Sequence, residues 1–417
     1  MPSHATPSLA GFVAGWAGLA AAMMQYAGAL KSLPAIAALP FDLTAVAAAL
    51  LLPALLLLVP ARRWRLDPAL ALPLSGAALL LLWLVVAGAW SVSRDVLAEK
   101  LPQVVLLGPA MLGAGLLVGA EGVALRRFAA TVLLLGLLVG GGVAWGVATG
   151  QVVLGGEPGA DPARVRVQYQ LAGLVIAAAA GVAALRVVEA RGWVARLPWA
   201  VATALLAAAV LIPGGRLALI GLMLAVALAP ALRLWLDGRR ACAAAWILAC
   251  GLVELGGLAV LHGEPRWVQD LHTLERLFGD PTAATPARLV LWSEALRWAG
   301  LAAPFGLGTG AFTIAVGFGE DRGFYPHNHA LEALAEGGLP GLLLWLLTFG
   351  GAVVLALRQA GRVAPGRAAR VAALTLPVAL SAMVSTDLGN RMVWFALGIV
   401  LSLAVEGEVR RQAMANA

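Results

Sequence analysis

Apolar runs about 20 residues long recur from end to end of this chain, and each can cross a bilayer as a helix. Twelve are read, near 8–30, 42–60, 70–90, 101–120, 127–147, 169–187, 195–213, 216–233, 241–262, 338–357, 369–386 and 391–406. The 417 residues are 61% hydrophobic and 12% charged, against about 25% charged in soluble domains. Mean hydropathy is +0.89. The pattern predicts an all-α polytopic membrane protein of about 12 transmembrane helices. A β-barrel would show short alternating segments instead. The first run lacks a basic n-region and a small-residue cleavage site, so it reads as a retained span.

Cys242 and Cys250 lie in one apolar run. Eight residues apart on a helix, they stand about 12 Å apart along the axis, too far to bridge. With no Cys/His cluster, no metal site or cofactor is expected. The net charge of +7 does not call for nucleic acid, because basic residues in membrane proteins gather in cytoplasmic loops. With the N-terminus cytoplasmic, 17 of the 29 Lys and Arg residues fall on the cytoplasmic side. Only 7 fall in exterior connections other than the long loop 263–337. Both termini are therefore expected in the cytoplasm. The long loop, helical and lying between spans 9 and 10, is expected to face the periplasm. The whole chain, 1–417, reads as one membrane domain, with 263–337 contributing part of its site.

Within that loop, "ARLVLWSEALRWAG" has helical periodicity, with Leu289, Trp292, Leu296 and Ala299 on one stripe. Trp292 and Trp298 suit a helix lying at the membrane interface. "PFGLGTGAF" follows. No strand precedes Gly306, Gly308 and Gly310, so they read as a turn, not a dinucleotide fingerprint.

Chemistry concentrates on the exterior side. Arg216 opens a span directly after Pro-Gly-Gly. It is either an arginine reaching out of the interface or a fork for an anionic phosphate, with the glycines admitting the ligand. Arg288 occupies the first turn of the loop helix, where a cation opposes the helix dipole unless an anion comes to that end. His327 and His329 flank Asn328, which can cap a short helix over 329–336 with Glu332 in its first turn. Gly337 and Gly338 would break that helix before Pro340 opens the next span. Histidine titrates near neutral pH and can take a proton. Arg164, Arg166 and Arg391 are further candidates for binding substrate, with Asp387 and Asn390 nearby. For these, a surface ion pair or a helix cap is the competing reading. Glu99 and Lys100 read as a solvated helix end.

"PHNHALEALAEGGLPGLLLWL" resembles the signature of the O-antigen ligase and polymerase superfamily, His-Asn-x-x-Leu before an acidic helix, Gly-x-x-Gly and an apolar span. "RLVLWSEALRWAGLAAPFGLGTGAF" is similar to that family's companion segment, and "GGRLALIGLML" to its third element. Gly-Gly precedes Arg216 where the family often has Ser-Arg. The resemblance implies a C-type glycosyltransferase in the bacterial inner membrane, needing neither metal nor ATP. The implied donor is an undecaprenyl-diphosphate-linked glycan, and the implied acceptor is the lipid A–core oligosaccharide at the periplasmic face. It implies that Arg216 and Arg288 stabilise the diphosphate leaving group and that His327 either activates the acceptor hydroxyl as a base or orients the acceptor. Asn328 and His329 are expected to help bind substrate, with membrane lipids around the protein. A repeat-unit polymerase and a protein O-oligosaccharyltransferase share the donor chemistry. A twelve-span transporter fits the span count but would place its polar residues near the midplane.

Overall fold

The computed structural model describes residues 9–154, 165–264, 266, 271–278 and 285–409. It is an all-α polytopic membrane protein. Among the described residues, ten helices are long and apolar enough to cross a membrane: α1 (Leu9–Leu30), α2 (Leu43–Ala61), α3 (Pro68–Trp90), α4 (Asp95–Ala120), α5 (Gly122–Ala148), α6 (Tyr169–Glu189), α8 (Arg216–Leu236), α9 (Arg240–Gly263), α12 (His329–Ala360) and α13 (Pro365–Val384). Two shorter apolar helices, α7 (Trp193–Ala209) and α14 (Arg391–Ala404), occupy the other two expected places. Between α9 and α12 lie α10 (His272–Phe278) and α11 (Thr285–Leu301). Strands are minor. β1 (Arg62–Leu66) pairs antiparallel with β4 (Val405–Val409), and β2 (Val152–Leu154) pairs parallel with β3 (Val165–Val167).

Small side chains set the core. A run of alanines from Ala177 to Ala180 on α6 is fully enclosed. A Cβ added at Gly173 would come within 2.3 Å of the Ala218 Cβ. The two backbones therefore meet closely, as small residues permit where lipid offers no hydrophobic drive to association. This contact fixes the start of α8, and with it Arg216. By contrast, α9 is almost wholly lipid-facing. Leu252 is 66% exposed and Val253 74%, and the helix packs mainly on α8.

Several span boundaries differ from expectation by four residues or more, two of them with a local cause. The span expected from 101 begins at Asp95, because the polar turn before Pro102 is already helical. The expected end of the seventh span near 213 is cut back to Ala209, because the chain turns through Pro213, Gly214 and Gly215 before α8.

Candidate active site

The break before α8 is held from outside by α10. Thr273 Oγ1 donates to the Val210 carbonyl at 3.0 Å and accepts from Gly214 N–H, also at 3.0 Å. Arg276 Nη1 donates to the Gly214 carbonyl at 2.9 Å. Gly214 has φ 89°, and a Cβ there would stand 2.3 Å from the His272 ring. Gly214 therefore admits α10, while Gly214 and Gly215 both line the neighbouring cleft. Admitting α10 brings Arg276 beside Arg216. The Arg276 guanidinium lies 4.9 Å from the centre of the Tyr169 ring, a cation–π contact. Arg216, Arg276 and Arg288 line one cleft with Tyr169, Gly215 and Ser385. No carboxylate is among the described residues lining it. Three guanidinium groups converging this way favour a multiply charged anion.

Arg288 reaches the cleft from α11. The packed face of α11 is Leu291 and Ala295, set against Phe312 and Ala335. Of the apolar stripe read in sequence, Leu289 and Leu296 are 56% and 57% exposed. Trp292 is turned inward as well. Its Nε1–H donates to the Pro326 carbonyl at 2.9 Å, tying α11 to the segment that carries His327.

His327 has φ 54°, the one non-glycine residue in the left-handed region among the described residues. Such backbone costs about 1–3 kcal/mol and persists only where its surroundings over-determine it. Here Tyr325 packs against the imidazole, ring centres 3.9 Å apart and planes tilted by 44°, and its hydroxyl donates to the Ser385 carbonyl at 2.9 Å. Ser385 also lines the arginine cleft. Burial, followed by the positive charge of Arg288, holds the His327 pKa below its ordinary value of 6.5. Its Nδ1 is enclosed without a hydrogen-bond partner among the described residues.

Asn328 caps the next helix as its type and place suggest, accepting from Ala330 N–H at 3.0 Å and Leu331 N–H at 3.1 Å. His329 is 0% exposed. Its Nε2 lies 3.1 Å from Thr386 Oγ1, whose own proton goes to the Ser381 carbonyl. The hydroxyl therefore accepts from Nε2–H, and the side chain is engaged inside the bundle.

Glu332 makes no capping box. It forms an ion pair with Lys100 and accepts from Leu388 N–H at 2.8 Å. Glu336, one turn on, lies 2.6 Å from Lys100 Nζ and accepts from Gly310 N–H at 2.9 Å. Lys100 is 3% exposed, so the solvated end read from sequence is instead a buried triad. The reason is geometric: Lys100 lies inside α4, facing the polar edge of α12, and a cation there must be paired. Glu99 remains at the surface, 3.2 Å from Arg322. Arg322 also reaches Asp387 at 2.9 Å, joining the loop to the α13–α14 connection.

The glycine-rich segment is more than a turn. Gly306 (φ 78°) and Gly338 (φ 66°) pass so closely that a Cβ on Gly306 would stand 2.4 Å from Gly338 N. Gly338 is also where α12 breaks before entering the membrane. Thr309 is buried and donates to the Leu84 carbonyl at 2.6 Å. Glu320 accepts from Ser93 Oγ at 2.6 Å and Arg94 N–H at 2.8 Å, clamping the loop to the start of α4. These hydrogen bonds, led by that from Ser93, keep its carboxyl below the usual range.

The remaining candidates lie apart. Arg391 lines a different cavity, with Gln25 and Tyr26. Asn390 caps α14 by accepting from Met392 N–H at 3.0 Å. Arg164 lies outside the described residues. Arg166 sits in β3 opposite Val153, and only its backbone is described. Arg276, Tyr169 and Tyr325 were not singled out by sequence, and Lys100 was read only as a solvated end. The signal for Lys100 was present in Glu332 and Glu336, two carboxylates at i and i+4 on an otherwise apolar helix.

Residues 199–346 match the family model described as O-Antigen ligase. This supports placing the chain in the O-antigen ligase superfamily. The matched stretch holds Arg216, Arg276, Arg288, His327 and both partners of Lys100. No curated protein matches the chain.

Proposed function

We propose that this chain is an O-antigen ligase of the bacterial inner membrane, transferring a glycan from undecaprenyl diphosphate to a sugar hydroxyl of lipid A–core oligosaccharide at the periplasmic face. The observation that carries the reading is the convergence of Arg216, Arg276 and Arg288 beside a strained, half-buried His327. As the bond between the anomeric carbon and the diphosphate oxygen breaks, negative charge grows on the diphosphate. Fixed guanidinium groups there stabilise the transition state more than the ground state. The acceptor hydroxyl attacks from the opposite side, its oxygen bonds to the anomeric carbon with inversion, and its proton passes to His327. A lowered pKa keeps that imidazole neutral and ready to accept. Asn328 fixes the backbone next to the base, and His329 and the Lys100 triad hold the helix behind it.

The test is transfer in vitro, using purified protein, a lipid-linked glycan and rough lipopolysaccharide. The expected product is glycan on lipopolysaccharide, without added metal or nucleotide. Growth of the glycan on its carrier would make the protein a polymerase, and glycan on serine or threonine peptides would make it a protein glycosyltransferase. Orientation is tested separately. Ser293→Cys on α11 should react with a membrane-impermeant thiol reagent in spheroplasts, and Gly361→Cys after α12 should not. The reverse labelling would invert the topology.

A further inference from the structure

The opposite end of α8 carries a second basic cleft. Arg216 and Leu236 are 20 residues apart on one helix, which sets the two ends about 30 Å apart. At the far end a cavity of about 560 Å³ is lined by Arg191, Arg196, Arg233 and Arg239, with Glu189 and Asp237. Both acids are already paired. Glu189 lies 3.1 Å from both Arg186 and Arg370, and Asp237 lies 3.1 Å from Arg233. Among the described residues, no carboxylate forms an ion pair with Arg191, Arg196 or Arg239. Arg196 Nε is spent on the Ala190 carbonyl at 3.1 Å, which holds the guanidinium over the cavity. Two helix N-termini open here as well. The residues before α7 and α9, Gly192 and Arg239, make no side-chain cap, so each first turn presents N–H groups and positive dipole.

The cavity does not end at its arginines. Val188, Arg196 and Arg239 also line an adjoining groove of about 330 Å³. Its walls are apolar, from Val187 and Leu234 to Ala245, Trp246 and Ala249 along α9. Ala245 and Ala249 are exposed, and their small side chains keep the groove open on the lipid-facing helix. A polar basin rich in arginine thus continues into an apolar groove along the first turns of α9. That combination matches one kind of ligand: a charged phosphate head with a hydrocarbon tail.

We propose that this cleft binds an anionic glycerophospholipid. Its phosphodiester would lie among Arg191, Arg196 and Arg239, and one acyl chain along Ala245, Trp246 and Ala249. The arginine basin selects against zwitterionic lipids, whose ammonium would meet three cations. The groove selects against soluble phosphates, which leave it empty. Assigning this face to the cytoplasmic leaflet rests on the charge asymmetry of the loops, whereas the site itself does not. Nor does it depend on the transfer reaction at the other end.

The test is native mass spectrometry of the detergent-solubilised full chain titrated with phosphatidylglycerol or phosphatidylcholine. Wild type should retain phosphatidylglycerol in preference to phosphatidylcholine. Each arginine near a lipid surface is worth about 1 kcal/mol, so the triple variant Arg191→Gln/Arg196→Gln/Arg239→Gln should bind about a hundredfold more weakly. Ala249→Trp, which fills the groove on an exposed helix face and leaves every arginine in place, should also weaken binding. Arg362→Gln, a basic residue outside the cleft, should not. Circular dichroism and elution volume report whether each variant is folded. Should the triple variant misfold, Ala249→Trp alone decides the matter. The proposal is overturned if folded triple variant or Ala249→Trp binds phosphatidylglycerol as wild type does. Equal retention of phosphatidylcholine also overturns it, as does displacement of the lipid by millimolar inorganic phosphate.

Discussion

Lys100 sits between two carboxylates and is sealed from solvent, whereas Arg216, Arg276 and Arg288 face a shared cleft with no acid in its described lining. Both clusters are built on the same loop-and-helix assembly, but their charge balance is opposite. In the first, each acid holds a backbone N–H besides the lysine: Glu336 that of Gly310, and Glu332 that of Leu388. Such a knot ties α4, the glycine-rich loop, α12 and the α13–α14 connection together. In the second, like charges are held near one another by unrelated contacts, α10 on the Gly214 turn and Trp292 on Pro326. Holding cations together costs electrostatic energy that an anion returns on arrival. One cluster fastens the structure, and the proposed function gives the other to the diphosphate.

The comparison breaks most sharply at Lys100. Lys100→Met leaves two buried carboxylates without a cation, and losing one partner of a buried pair costs about 3–5 kcal/mol. Little folded protein should survive solubilisation, read as a collapsed monomer peak in size-exclusion chromatography. Adding Glu332→Gln and Glu336→Gln to Lys100→Met should restore part of that peak. Full stability of Lys100→Met alone would remove the fastening role.

The arginine cluster should behave the other way. Arg276→Gln and Arg288→Ala should elute as wild type yet lose about 10²–10³ in turnover, the scale of a lost transition-state donor. Arg216→Lys keeps the charge but not the planar fork, and should lose activity well beyond a surface substitution. Transfer assays on folded variants check all three. Wild-type rates would send the diphosphate elsewhere, with Arg391 the next described candidate.

The smallest effect is on pH dependence. A base with a lowered pKa stays neutral further into acid. The acid limb of the transfer rate should therefore fall below 6.5, the ordinary histidine value. Arg288→Gln removes one cause of that lowering, so the limb of its residual activity should move up toward neutral pH. Movement in the opposite direction would separate His327 from the arginines.

What could be read in advance divides along the range of the interactions. Spans were legible because bilayer thickness imposes a length on each apolar run. The Asn328 cap and the Gly338 break were legible because caps and breaks are set by neighbours in sequence. Arg216 and Arg288 stood out at helix starts. Arg276 did not, because its place depends on Thr273 reaching the carbonyl of Val210, 63 residues away. Lys100 was missed for the same reason, its partner Glu336 lying 236 residues further on. Gly-Gly before Arg216 reads as admitting a ligand, and both glycines line the cleft; that Gly214 also admits α10 is a tertiary fact. The resemblance already gives His327 and His329 different roles, and packing adds that the His329 side chain is enclosed.

The central claim is a division of labour: arginines hold the diphosphate and His327 moves the proton. The most direct measurement is undecaprenyl diphosphate binding and glycan turnover, compared in folded His327→Ala and wild-type protein. General-base catalysis contributes about 10²–10⁴-fold, so His327→Ala should lose that much turnover while its affinity for the diphosphate stays within about twofold. Loss of diphosphate binding in His327→Ala, or turnover unchanged from wild type, would contradict the account.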